Sequence, residues 1–117
     1  MSRHDDTITL SQMLDHIEEA VTLAKGRTRA NLETDRMFFL SLLKLVEIVG
    51  EAATRVTEAT QTAHPAIPWR EIIGTRNRLI HGYDAVDYDI LWNIVIADFP
   101  PLADQLKRIL PDAPAKK

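Results

Sequence analysis

From about residue 33 to residue 57 the sequence is apolar around most of a helical circumference, which limits what the chain can fold into. Phe38, Phe39, Leu42, Leu45, Val46, Val49, Ala52, Ala53 and Val56 fill one broad stripe, and Leu40, Leu43 and Ile48 fall off it. A helix of this kind needs cover on several sides. In a chain of 117 residues a second subunit is the expected source of the extra cover. Gly50 inside the segment costs about 1 kcal/mol relative to alanine, so its place predicts a close approach by another helix. Lys44 and Glu47 interrupt the apolar run, and nothing in the sequence accounts for them.

The rest of the chain also reads as helices, with only four glycines and almost no alternating apolar and polar runs. Thr9-Leu10-Ser11-Gln12 has the spacing of a capping box. Met13, Leu14, Ile17, Ala20, Val21 and Ala24 then form one face of a first helix that ends near Gly26. The segment 59–67, with Pro65, reads as a loop. Pro68 suits the first position of a third helix running to about Ile80, with Gly82 placed to end it in a left-handed conformation. Asp87 can cap a fourth helix bearing Ile90, Leu91, Ile94 and Val95. Pro100 and Pro101 break or bend that helix, and residues 102–110 form a short final one. The expected organisation is one helical domain over residues 1–110, followed by a disordered tail over 111–117.

Composition excludes several functions. Without cysteine there is no disulfide framework and no thiolate metal site. The polar start Met1-Ser2-Arg3-His4-Asp5-Asp6 leads into no secretory core, and the apolar stretch 37–49 is broken by Ser41, Lys44 and Glu47. The expectation is a cytoplasmic protein with no membrane span. A net charge of −3 argues against broad affinity for nucleic acid, which requires many cationic contacts to phosphate. Charge is nevertheless segregated: Arg70, Arg76 and Arg78 cluster against Glu71 alone, while Asp15, Glu18, Glu19, Glu33 and Asp35 lie elsewhere.

The four histidines are His4, His16, His64 and His81, and none has zincin-like spacing, so neither a metal site nor a cofactor is expected. A glycine-rich phosphate loop and a Gly-x-Ser-x-Gly elbow are both missing. Interest falls on Arg76-Asn77-Arg78-Leu79-Ile80-His81-Gly82-Tyr83. On one regular helix Arg76 and His81 would lie about 140° apart, so a site using both needs the helix to fray or a second copy to contribute. Cleavage of RNA by its own 2′-hydroxyl needs proton transfer, which histidine performs near neutral pH. It also needs positive charge on the phosphorane-like transition state, which arginine supplies through paired donors. The plainer reading remains open from spacing alone: His81 as a helix-end residue, Arg76 and Arg78 as solvated charges, and Tyr83 as a half-buried anchor.

The wider string resembles a known family. Pro68-Trp69-Arg70-Glu71-Ile72, then the stretch from Arg76 to Tyr83, then Val86-Asp87-Tyr88-Asp89-Ile90-Leu91-Trp92 resembles the HepT-like branch of the HEPN superfamily. Ile48-Val49-Gly50-Glu51-Ala52 in the long helix matches a further landmark. The resemblance implies an all-α fold, an up-and-down bundle of four to five helices, paired as a homodimer with both motifs facing a shared cleft. It also implies the toxin half of a type VII-like HEPN/MNT toxin–antitoxin pair, a metal-independent RNA endonuclease. Arg76 and His81 would be catalytic, and Asn77 would fill the polar place after the arginine. The implied partner is a minimal nucleotidyltransferase antitoxin that silences the toxin by transferring AMP to Tyr83. Arg78 is a supporting candidate on charge alone. The alternative is a non-catalytic helical subunit that binds a nucleotide or a partner nucleotidyltransferase through the same cleft.

Overall fold

A computed structural model describes residues 6–81 and 85–110, with side chains for all of these except His81. The tail 111–117 and Gly82, with the helix end expected there, lie outside the described residues. The expected all-α fold is what the chain forms. Its elements are α1 (Asp6–Ala24), α2 (Asn31–Thr34), α3 (Arg36–Ala53), α4 (Glu58–Ala63), α5 (Trp69–Ile73), α6 (Thr75–Leu79), α7 (Tyr88–Asn93) and α8 (Phe99–Ile109). A five-residue π-helical segment, Ile94–Asp98, joins the last two. Two-residue strands β1 (Ile80–His81) and β2 (Ala85–Val86) pair antiparallel, with Ile80 opposite Val86.

The predicted stripe on α3 is the centre of the molecule. Leu42, Val46 and Val49 are almost wholly buried, and they meet Met13 and Ile17 of α1, Leu79 of α6, Leu91 of α7, Ile94 and Val95 of the π segment and Leu106 of α8 in one core. Each such side chain contributes about 1.5–3 kcal/mol through burial. Off the stripe, Met37 is 78% exposed and Leu40 45% exposed, and Leu43 and Ile48 are half-buried, so one chain alone leaves α3 with an apolar outer edge.

Several boundaries differ from the sequence expectation, and side-chain capping accounts for most of them. α1 starts at Asp6, which leaves Thr9 buried inside the helix and not at its cap. Asp6 accepts from the Thr57 amide at 3.2 Å and from the Thr57 and Thr60 hydroxyls. That carboxylate therefore ties the start of α1 to the start of α4. The segment 59–67 is thus not all loop: α4 occupies its first part, capped by Thr57, and buries no residue. Gly26 ends the first helical region at a φ of +75°, as expected.

The single helix expected over 33–57 is divided at Asp35, whose extended backbone separates α2 from α3. Its carboxylate accepts from the Phe38 amide at 3.1 Å and pairs with Arg27 at 2.6 Å. The Phe38 amide and then Arg27 hold the Asp35 carboxyl below the usual carboxylate range. Arg27 also lies 4.0 Å from the centre of the Phe38 ring, so cap, ion pair and cation–π contact act at one point.

The third helix is likewise split. Pro68 sits one position before α5, as its cap residue, and Gly74 separates α5 from α6. The buried Thr75 hydroxyl donates to Ile72 O at 2.7 Å and competes with the regular backbone ladder. At the next boundary the sequence holds: the Asp87 carboxylate accepts from the Ile90 amide at 3.0 Å and caps α7. Pro100 and Pro101 do not precede the final helix but lie in the first turn of α8, which begins at Phe99 and not at residue 102. Having no N–H, they cannot satisfy the carbonyls one turn earlier, and the helix widens to π geometry just before them.

Gly50 is the closest approach of α3 to the α5–α6 corner. A Cβ there would lie 3.2 Å from Ile72 O and 3.6 Å from the Thr75 Cβ. Alanine would gain about 1 kcal/mol of helix propensity against a similar steric cost, whereas valine adds two more carbons to the same contact. Gly50→Val is expected to destabilise the chain by about 2–3 kcal/mol, read as a lower urea midpoint at unchanged slope. An unchanged midpoint would contradict the close contact between Gly50 and Ile72 O.

Candidate active site

α6 is a helix of five residues, yet it turns its two arginines to different sides of the molecule. Arg76 and the following Asn77 are exposed and face the outer side of α3. Together with Ile73 they form one wall of a cleft of about 460 Å³. The other wall is Lys44, Glu47, Ile48 and Glu51 of α3, with Thr54 just past its end. Gly50 lies at the floor beside Thr75, where the two walls join through backbone contact.

Arg78 points away from this cleft. Its guanidinium lies 3.5 Å from the Asp98 carboxylate at the end of the π segment. With Arg78 37% and Asp98 44% exposed, this pair contributes at most about 1 kcal/mol, but it fixes a direction. Arg76 and Asn77 therefore share a cleft that Arg78 does not enter.

The helix stops before His81. Ile80 is already extended (φ −100°, ψ 121°), and the Asp87 amide donates to Leu79 O at 2.8 Å. That bond and the Ile80–Val86 pairing take up backbone groups that another helical turn would have used. The 140° separation on a straight helix therefore does not apply, because the chain unwinds between Arg76 and His81. The shared face that Asn77 and His81 would have on a continuous helix does not apply either, for the same reason. The backbone of His81 pairs with Ala85; its side chain and Tyr83 lie outside the described residues.

The cleft also explains features that sequence reasoning left aside. Lys44 and Glu47, the interruptions in the apolar run, stand in the wall opposite Arg76, and Glu51 and Thr54 continue that wall. The break in apolar periodicity was the one signal for them. His64 acts through its backbone, its carbonyl accepting from the Trp69 indole N–H at 3.0 Å and so bracing α5 from below. No group of three or more His, Cys, Asp or Glu residues that could hold a metal occurs among the described residues. No helix among them is long and apolar enough to cross a membrane.

The family model for ribonuclease HepT-like proteins matches residues 13–109, which include both walls of the cleft. The chain belongs to the HepT-like family. Among its relatives is a "Putative RNase" of Caldanaerobacter subterraneus subsp. tengcongensis, 32% identical over 101 residues that cover 86% of this chain and 90% of that protein. A "Probable ribonuclease HepT" of Thermococcus cleftensis is 33% identical over 100 residues, covering 82% of this chain and 91% of the relative. A "Putative RNase" of Methanocaldococcus jannaschii is 29% identical over 107 residues, covering 92% and 98%. No solved structure gives a significant match. Membership in the HepT-like family thus rests on nearly the whole helical region and not on the short Arg76–His81 spacing alone.

Proposed function

We propose that the chain is a metal-independent ribonuclease and the toxin of a two-gene toxin–antitoxin pair, acting as a homodimer whose two motifs share one cleft. The observation that carries this reading is the unwinding after Leu79: Arg76 and Asn77 stand in an open cleft while His81 is released from the helix that would have turned it away. In this mechanism the His81 imidazole takes the proton from a ribose 2′-hydroxyl. That oxygen attacks the adjacent phosphorus, and the bond to the 5′-oxygen breaks with a proton delivered to the leaving group. The Arg76 guanidinium holds the charge that builds on the phosphoryl oxygens, and Asn77 orients the same group. Each motif carries a single histidine, while the reaction needs a base and an acid, so a second copy across the cleft supplies the other. The exposed Met37 and Leu40 on α3 supply apolar area for such pairing. Arg78, held towards Asp98, is given an orienting role on α6 and no substrate contact.

The partner in this reading is a minimal nucleotidyltransferase antitoxin that transfers AMP to Tyr83. The test of the catalytic part is cleavage of single-stranded RNA in excess EDTA. The expected products end in a 2′,3′-cyclic phosphate, and a single 2′-deoxy substitution at the cut site stops the reaction. Cleavage that requires added magnesium, or that ignores the 2′-deoxy substitution, rules the mechanism out. One observation favours the non-catalytic alternative, a subunit that binds a nucleotide or the transferase: Glu47 and Glu51 balance Lys44 and Arg76 in the cleft. Under that reading the purified chain binds nucleotide triphosphate and leaves RNA intact.

A further inference from the structure

We propose that Lys44 is a second substrate-phosphate contact, so that the cleft grips single-stranded RNA across two neighbouring phosphates and not at one isolated phosphate. The inference rests on the ribonuclease reading of the same cleft and extends it to a residue on a different helix.

Lys44 and Arg76 are the two cations lining the cleft, and they come from opposite walls, α3 and α6. Both are exposed, and among the described residues no ion pair holds either of them. Arg27, Arg29, Arg78 and Lys107 are paired with carboxylates, whereas Lys25, Arg36, Arg55, Arg70 and Arg108 are also without an ion pair among the described residues, so it is their place in the cleft that sets Lys44 and Arg76 apart. A lysine in the longest apolar run of the chain is placed where its stem can lie along the helix while the ammonium reaches the open space. Lys44, Glu47 and Glu51, with Thr54 just past the end of α3, lie within roughly 80° of one another around the helix axis, so they can face one cleft together. A volume of about 460 Å³ exceeds what one phosphate needs and falls within the usual range for a small organic ligand.

The two carboxylates explain why the second cation matters. Lys44 and Arg76 against Glu47 and Glu51 bring the formal charge of the lining to zero, 2 − 2. With Lys44 removed, the lining is left with an excess negative charge that repels the nucleic-acid backbone. Removing Glu47 does the reverse. The two substitutions therefore have opposite expected signs, which a merely structural role for either residue does not produce.

The experiment is a salt titration of binding between the full chain and a fluorescent single-stranded RNA made wholly of 2′-O-methyl nucleotides, which cannot be cleaved by 2′-hydroxyl attack. Each phosphate contact contributes about 0.7 to the slope of log affinity against log salt for a single strand. Lys44→Ala is expected to weaken binding and to lower that slope by about 0.7. Lys44→Arg should restore the slope, Glu47→Gln should tighten binding, and Lys107→Ala, remote from the cleft, should change neither quantity. A Lys44→Ala slope equal to that of the parent, in a chain that still cleaves ordinary RNA, overturns this inference and leaves the ribonuclease reading standing. A parent chain that neither binds nor cleaves RNA removes the ribonuclease reading, and the inference with it.

Discussion

On the proposed mechanism His81→Ala is expected to lower RNA cleavage by about two to four orders of magnitude, the span seen when a positioned acid–base group is lost. The expectation follows from where α6 ends. Ile80 and His81 are extended and pair with Val86 and Ala85, so position 81 is anchored by backbone bonds that an alanine keeps. The variant should therefore retain its helical circular-dichroism signal and its melting temperature while losing turnover. Arg76→Ala is expected to cost about two to three orders of magnitude in kcat, as for the removal of one preorganised transition-state donor. Arg76→Lys should recover only part of that loss, because a lysine cannot offer two parallel donors to a phosphoryl group. The cleanest readout is single-turnover cleavage at saturating enzyme, which separates chemistry from binding. A His81→Ala chain that cuts RNA at the parental rate would remove histidine from the mechanism and return the site to the non-catalytic alternative.

Tyr83→Phe is expected to keep full cleavage activity in isolation and to lose silencing entirely. On the proposed regulation, AMP joined through the tyrosine oxygen places a bulky anionic group two residues from His81, where it repels and blocks the RNA phosphate. Phenylalanine has no oxygen to accept it. Co-expression with the proposed nucleotidyltransferase partner should add adenylyl mass to the parent chain at the peptide containing Tyr83 and leave the variant unmodified. Host growth should then be rescued for the parent and not for the variant. If the partner silences Tyr83→Phe as well as it does the parent, regulation works through complex formation and the modification is not required.

The fold and the site were unequally legible in the sequence. The α3 stripe was readable because burial imposes a 3.6-residue period, and every residue assigned to the stripe is buried. Asp87 was readable because a carboxylate cap is local, and Gly50 because a glycine stands out inside a helix although its reason, the approach of Ile72 O, is tertiary. The interruption at Asp35 was not, since it depends on Arg27 arriving from eight residues away and on the Phe38 amide. α4 was missed because it buries no residue and so carries no period; a threonine cap and the Asp6 carboxylate at the start of α1 fix it. The motif at Arg76 and Asn77 could be found as a string, and its segregated positive charge was visible. Its opposing wall could not be found in the same way, because the pairing of α3 with α6 is a tertiary fact. Only Lys44 and Glu47, out of keeping with their neighbours, hinted at it.

The contact at Gly50 has a consequence for how such sites diversify. Main chain approaches main chain there, with the Cβ position only 3.2 Å from Ile72 O, so the gap between the two walls is set by peptide geometry and the small Thr75 side chain and not by the residues that line the opening. The walls behave like the jaws of a caliper locked at one setting. Exchanging residues at 44, 47, 51 or 54 changes what the jaws hold without changing how far apart they stand. If the cleft holds RNA as proposed, a new RNA preference can arise by substitution along this wall, with Arg76 untouched and the core undisturbed.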